Sequence, residues 1–327
     1  MDRGRSRLLL GEAVELTAVK ARELGRRAVV VGDRVRVTGD LSGRKDTLAR
    51  VVKVEERTSE LRRSTEEGDG RERVIVANAD QMAIVVALAN PDPKPGMIDR
   101  CLVAAYVAGM EPFLVLTKAD IGDPSELLRH YEPLGMPAYV TELAEVEERG
   151  EKGDVSDEDG PVSVSSEGGP GVEGLEVEGL EVDLGELREA LAGHETVLVG
   201  HSGVGKSTLI NALIPEAERA VGHVNVVTGK GRHTSTSAVS FALEEGGRII
   251  DTPGVRSFGL AHVGPEDLLR GFADLAEVAR ECPRGCPHAE DSLDCALSEV
   301  TDERLTARVA SFRRLLGAGR DTNWSNS

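Results

Sequence analysis

Residues 200–207 read Gly-His-Ser-Gly-Val-Gly-Lys-Ser, the spacing G-x-x-x-x-G-K-[ST] of a loop that wraps phosphate groups. Gly200, Gly203 and Gly205 let the backbone curl until its N–H groups face phosphate oxygens. Lys206 reaches the outer phosphates as a point charge, and the Ser207 hydroxyl suits a Mg²⁺ ion. The run Gly200, His201, Ser202, Gly203, Val204, Gly205, Lys206, Ser207 and Thr208 is therefore assigned to a nucleotide. Upstream, Glu195 to Val199 (ETVLV) reads as a short buried strand. Downstream, Lys206 to Leu213 (KSTLINAL) reads as a helix, whose N-terminus favours an anion. The competing reading is a glycine-rich turn that happens to carry Lys-Ser.

A second polar motif, Thr117-Lys118-Ala119-Asp120, follows the apolar run Glu111 to Leu116. T/N-K-x-D is a guanine-reading signature. One carboxylate can accept from both N1–H and the exocyclic amine of guanine, a donor pair that adenine lacks, so Asp120 would select the base. The Lys118 stem would lie against the purine. Ser165 and Ser166 sit where a loop would meet the guanine O6 by backbone N–H. Further on, Gly231 to Thr236 (GRHTST) lies in a polar stretch that suits a switch closing on Mg²⁺, with Thr234, Ser235 and Thr236 as its hydroxyls. The run Arg248 to Ile250 ends in Asp251-Thr-Pro-Gly254. Asp251 would hold Mg²⁺ through water, and the Gly254 N–H would meet the γ-phosphate. Hydrolysis then needs an oriented water, with charge stabilised by Lys206 and the metal. Where many GTPases place a Gln after that glycine, this chain has Val255 and then Arg256. His233 is the candidate for orienting water; the alternative is a surface histidine on a loop.

Cys282, Cys286 and Cys295 cluster around His288, while Cys101 stands apart. Three thiolates and one imidazole make a closed tetrahedral Zn²⁺ site, structural because no ligand position is left open. Reduced thiols without a metal are the alternative. Cys101 lies within a helical apolar run and reads as a buried thiol.

What must position these groups follows from patterning. At 327 residues, two or three domains are expected, and aromatics at 3% mean aliphatic cores. No apolar run is long enough for a membrane span, and Leu8-Leu9-Leu10 is too short for a secretory signal. A cytoplasmic, monomeric protein is expected. The net charge of −18 argues against nucleic acid until it is mapped. Residues 141–200 carry 18 Asp/Glu against 3 Lys/Arg, whereas residues 1–75 carry 18 Lys/Arg against 14 Asp/Glu. The N-terminal part alternates apolar and polar residues between turn formers, over Arg27 to Gly39 and Leu48 to Glu56. That predicts a small β-barrel whose arginines either contact RNA phosphates or form a solvated face. Ser64 to Arg73 reads as a linker. Met82 to Leu88 and Glu111 to Leu116 read as buried parallel strands flanking a helix over Met97 to Ala108. Asp123 to Tyr131 reads as a helix capped by Asp123, Pro137 to Val140 as a strand, and residues 142–160 as an acidic, solvated insertion. Pro161 to Ser166 reads as a strand, Leu184 to Leu191 as a helix, and Ser240 to Leu243 with Arg248 to Ile250 as a hairpin. The tail from Pro265 is largely helical by spacing.

The motif order is unusual. The guanine motif precedes the phosphate loop, the reverse of ordinary GTPases, so the chain reads as a circular permutation. The switch strand then leads into the cysteine region. This combination resembles the ribosome small-subunit-dependent GTPase A (RsgA) family, and the resemblance covers nearly the whole chain. It implies an OB-like β-barrel at 1–75, a circularly permuted α/β P-loop GTPase at 76–260, and a small α-helical zinc-binding domain at 261–327. It implies binding of the small ribosomal subunit and its rRNA with GTP, and GTP hydrolysis to GDP on release. It maps the switch histidine to His233 and the zinc ligands to Cys282, Cys286, His288 and Cys295. Zinc spacing, Thr-Ser-Thr in the switch, the acidic insertion, and a barrel expected to lack its first strand, the chain beginning near Arg3-Gly4-Arg5, depart from the pattern. The alternative function is an RNA-bound, nucleotide-dependent scaffold with little turnover, which Val255 keeps open. A P-loop ATPase is a third reading.

Overall fold

The computed structural model describes residues 5–11, 14–25, 29–64, 72–142, 184–214, 238–252, 258, 260 and 263–320. Its centre is β7 (Gln81–Ala87), in which all seven positions are buried. A strand with no polar face must be covered on both sides. It sits inside a six-stranded sheet with β8 (Glu111–Thr117), β9 (Ala138–Val140), β10 (Glu195–Val199), β11 (Val239–Ala242) and β12 (Arg248–Asp251). The strand order is β11-β12-β10-β7-β8-β9, parallel except where β11 turns back on β12.

The two-residue strand period sorts this sheet's side chains between two cores. Met82, Ile84 and Val86 face one side, with α1 (Pro95–Ala108). Ala83, Val85 and Ala87 face the other, with α3 (Gly185–Leu191) and α4 (Lys206–Leu213). α2 (Ser125–Tyr131) lies between β8 and β9 in sequence. Its start differs from the expected cap: Pro124 takes the N-cap, and Asp123 accepts from the Ser125 N–H at 2.9 Å.

The N-terminal strands β1 (Arg5–Leu10), β2 (Val14–Lys20), β3 (Val35–Gly39) and β4 (Ala49–Val54) form a separate sheet, in the order β1-β2-β4-β3. Its core is small: Leu16, Ala18, Ala49 and Val51. Patterning anticipated β3 and β4 but missed β1 and β2. The first described residues, Arg5–Leu10, pair antiparallel with β2.

β5 (Glu60–Ser64) and β6 (Glu72–Ala77) form an antiparallel hairpin. β6 runs through residue 75, where the N-terminal part was expected to end, and starts inside the expected linker. Leu61 and Val76 pack in the larger core with α1, not in the N-terminal one. The N-terminal part is tied on by Arg57, which pairs with Asp33 at 2.7 Å and with Glu60 of β5 at 3.0 Å, and by Asn78 Nδ2 donating to Gly32 O at 2.8 Å.

The tail is helical as expected, with α5 (Pro265–Leu269), α6 (Ala273–Ala279) and α7 (Glu303–Arg320). Phe272 and Phe312 are fully buried and meet edge to face at 5.5 Å. Both belong to the same apolar cluster as α1 and β7.

Candidate nucleotide site and cysteine cluster

β10 is parallel to β7 on one side and β12 on the other, and β7 is parallel to β8. Their carboxyl ends therefore rise along one edge of the sheet, where ligands of open α/β folds bind. The phosphate-loop motif leaves β10 there, Thr117–Asp120 ends β8, and Asp251 ends β12. The expected strand and helix around the loop match Glu195–Val199 and Lys206–Leu213.

The loop folds back on its own lysine. Lys206 Nζ donates to Gly200 O and His201 O, each at 2.7 Å. Gly203 and Gly205 have φ of 81° and 89°, in the left-handed region. Gly200 is needed for closeness: a Cβ there would lie 2.4 Å from Val85 O. Burial pushes the Lys206 pKa down, and Asp251 opposes that shift. Burial pushes Asp251 up, opposed by Lys206 and by the Thr252 backbone. Asp251 Oδ1 is buried without a hydrogen-bond partner. An orphaned carboxylate oxygen coupled to the loop lysine fits a hard, oxygen-seeking cation such as Mg²⁺. Ser207, at the start of α4, is exposed. Thr252 Oγ1 donates to Leu198 O at 2.8 Å and fixes the end of β12 to β10.

The guanine motif is joined to this loop. Thr117 is 1% exposed, and its Oγ1 donates to Val204 O at 2.7 Å across 87 positions of sequence. Lys118 has φ of 61°, and its Nζ donates to Asn90 O at 2.6 Å. Asp120 is exposed in the turn that follows. Beside it, the Ala119 N–H donates to Thr141 O at 3.2 Å, and the Thr141 N–H donates to Leu116 O at 2.7 Å. The end of β9 thus lies against the guanine motif. Sequence reading missed Thr141 and Asn90; neither carries a motif, and only strand pairing brings them here.

The four expected zinc ligands converge. Their ligand atoms all lie within 4.8 Å of one another. Cys282 Sγ is 3.6 Å from His288 Nδ1 and 4.0 Å from Cys295 Sγ, and Cys295 Sγ is 3.7 Å from His288 Nδ1. A tetrahedral ion with arms of about 2.3 Å holds its sulfurs roughly 3.8 Å apart, so the donor set and spacing fit zinc. His288 has φ of 52°, a strained value for a non-glycine residue. It is held by burial and by Arg313 Nε donating to its carbonyl at 3.1 Å. Burial raises the Cys282 thiol pKa. At Cys295 burial is outweighed by hydrogen bonds from the Leu297 backbone and the neighbouring thiols, which lower it. Cys101 is buried in α1, as expected, and burial pushes its pKa up to about 12.

His233, Thr234, Ser235, Thr236, Gly254, Ser165 and Ser166 lie outside the described residues. Among the described residues, no helix is long and apolar enough to cross a membrane.

Comparisons with known proteins agree with this arrangement. The family model described as RsgA GTPase matches residues 54–152 and 168–261. The "Small ribosomal subunit biogenesis GTPase RsgA" of Pseudomonas aeruginosa (strain LESB58) is 37% identical over 258 residues, 76% of this chain and 66% of that protein. The match thus spans just under two thirds of that relative's length. The protein of the same name from Pseudomonas syringae pv. tomato is 33% identical over 326 residues, covering 94% of this chain and 83% of its own. Among solved structures, YjeQ from Thermotoga maritima superposes with a TM-score of 0.59 at 24% identity, covering 97% of this chain and 96% of that one. YloQ, described as a circularly permuted GTPase, gives 0.58 at 20% identity, covering 99% and 94%. The fold is thus that of a circularly permuted GTPase, as the motif order implied. With the family model matching more than half of its length, the chain belongs to the RsgA GTPase family.

Proposed function

We propose that this protein is a GTPase acting in maturation of the small ribosomal subunit, binding the subunit with GTP and hydrolysing GTP on release. The observation that carries this reading is the Thr117–Val204 hydrogen bond, which joins a guanine motif to a phosphate loop. Asp120 would take the guanine N1–H and amine. The backbone at Thr141 and Glu142, beside Ala119, is a better candidate for the O6 contact than Ser165–Ser166, because the family match passes over residues 153–167. The phosphates would lie in the loop of Gly200 to Thr208, with Lys206 released from its two carbonyls to the outer phosphates. Asp251 and Ser207 would hold Mg²⁺, which when bound would neutralise phosphate charge. His233 would orient water, with Thr234, Ser235, Thr236 and Gly254 sensing the γ-phosphate.

Cys282, Cys286, His288 and Cys295 would hold one structural zinc, cross-linking the turn that contains them. The N-terminal sheet would be an OB-like barrel that contacts rRNA. Its register supports this: Arg5 pairs with Val19, and Val19 with Arg50, which sets two exposed arginines in one row. The boundary of that part would fall before β5, not at residue 75. The protein would act as a monomer in the cytoplasm, where ribosomal subunits mature. The relatives named for small-subunit biogenesis support the partner.

The test is nucleotide preference and turnover. Asp120→Asn should weaken GTP binding by roughly two orders of magnitude, a loss of about 3 kcal/mol, and leave ATP binding unchanged. Unaltered preference would refute the guanine reading. Turnover that rises when small subunits are added supports the enzyme; turnover that stays negligible supports the scaffold reading, which Val255 motivates.

A further inference from the structure

A polar cluster apart from the cysteines joins the C-terminal helix to α1 and to the end of α2. Asp99, on α1, is 4% exposed. Its Oδ2 accepts from Arg314 Nε of α7 at 3.0 Å. Its Oδ1 lies 3.1 Å from the Tyr131 hydroxyl, at the end of α2. That hydroxyl is also 3.1 Å from the carbonyl of Pro95, the first residue of α1, so its one proton is shared between two acceptors. The Arg314 guanidinium lies 5.3 Å from the centre of the Tyr131 ring. Earlier on α7, Arg308 donates to Pro133 O and Leu134 O, both at 2.9 Å.

With Asp99 buried and Arg314 half-buried, the ion pair adds little net stability, because desolvation offsets most of its attraction. Removing one partner is costly, and the surviving effect of the pair is to fix geometry. Here it fixes the segment between β7 and α1. At its far end that segment is held by the guanine motif: Leu88 N–H donates to Thr117 O at 2.9 Å, and Asn90 O accepts the Lys118 ammonium at 2.6 Å. At its near end it is held by Tyr131, Asp99 and Arg314.

We propose that Asp99, Tyr131 and Arg314 are positioning residues for the guanine motif, through which α7 sets guanine-nucleotide affinity. This rests on the guanine reading of Thr117–Asp120. The C-terminal region then acts on the nucleotide from its base end, in addition to its covalent link to the switch strand.

The experiment uses the full-length, metal-loaded protein and two probes: GDP, which spans the cleft, and inorganic tripolyphosphate, which occupies only the phosphate loop. Arg314→Ala should weaken GDP about tenfold, and Tyr131→Phe, which keeps the ring but removes the hydroxyl, about threefold. Arg314→Lys keeps the charge without the planar fork and should fall between parent and Arg314→Ala. Tripolyphosphate affinity should stay within about twofold throughout, with metal content unchanged. Equal losses for both probes would mean general loosening and overturn the proposal, as would unchanged GDP affinity in Tyr131→Phe and Arg314→Lys. Asp120→Asn, run in parallel, separates the two readings. If it loses GDP while the clamp variants do not, positioning fails and the guanine site stands. If it keeps GDP, the guanine reading itself fails.

Discussion

The two flanks of the central sheet are held in opposite ways. The N-terminal sheet has its own core of Leu16, Ala18, Ala49 and Val51, and leaves Leu9, Leu10, Leu48 and Val52 more than a third exposed. The C-terminal helices have no core of their own. Leu268, Phe272, Leu275, Phe312 and Leu315 are fully buried in the cluster that also contains α1 and β7. Both flanks are short, and by length either could be a separate unit. What separates them is shared apolar surface: a large apolar interface ties motions together, while a small polar one lets them part. The C-terminal part is thus an extension of the central core that also carries a ligand cluster. The N-terminal part is an appendage tied on by the Arg57–Glu60 ion pair and by Asn78.

The strongest way to break this comparison is to truncate one buried side chain on each flank. Phe312→Ala should cost about 3–5 kcal/mol and lower the melting of the whole nucleotide-binding core in one transition. Leu16→Ala should cost about 2–4 kcal/mol but act locally, with the N-terminal sheet melting early and GDP affinity retained. Calorimetry with GDP titration decides it; a Leu16→Ala protein that melts in one step and loses GDP would erase the contrast.

Metal removal sharpens it. Cys295→Ser or chelation should release the zinc and lower the melting temperature by several degrees, roughly 1–3 kcal/mol in a chain of this size. Because Leu268, Leu275 and Leu315 are buried in the cluster shared with α1 and β7, far-UV circular dichroism should keep most of its helical signal. Collapse of that signal would make the C-terminal flank a metal-folded unit.

The smallest effect is one of pH. Tyr106 of α1 stacks on Phe272 at 5.5 Å, and burial pushes its pKa up to about 12 from 10.0. The unfolded phenol ionises first, so the folded state loses stability as pH rises from 10 to 12 and is unaffected below that range. The contribution is at most about 3 kcal/mol. Tyr106→Phe should flatten that alkaline decline, as read by urea midpoints at each pH. A decline of equal slope in the variant would mean that the ring junction between α1 and Phe272 is wetter than described.

The sequence was most legible where one pattern had one physical solution. Met82 to Leu88 and Glu111 to Leu116 are too uniformly apolar for anything but two-sided burial. The phosphate loop fell between a strand and a helix whose limits were read correctly. Legibility failed where neighbours decide. Arg5–Leu10 has three consecutive leucines that break strand alternation, and only pairing with Val14–Lys20 makes it a strand. Ser64 to Arg73 read as a linker and residue 75 as the end of the N-terminal part, yet Glu72–Ala77 is the second arm of a hairpin with Glu60–Ser64. At the site, glycines and the Thr-Lys-Ala-Asp motif announced themselves. Thr141, Asn90 and the Asp99–Tyr131–Arg314 cluster did not, since ordinary residue types gain their roles there only by proximity.

β9 is three residues long and, among the described residues, forms the outer edge of the sheet with β8 as its single neighbour. The chain that leaves it carries the acidic stretch, over which the family match is interrupted. A strand with one neighbour passes no register on to another, so added length there re-threads nothing. Length added after β9 therefore leaves the pairing of the other five strands of the sheet unchanged.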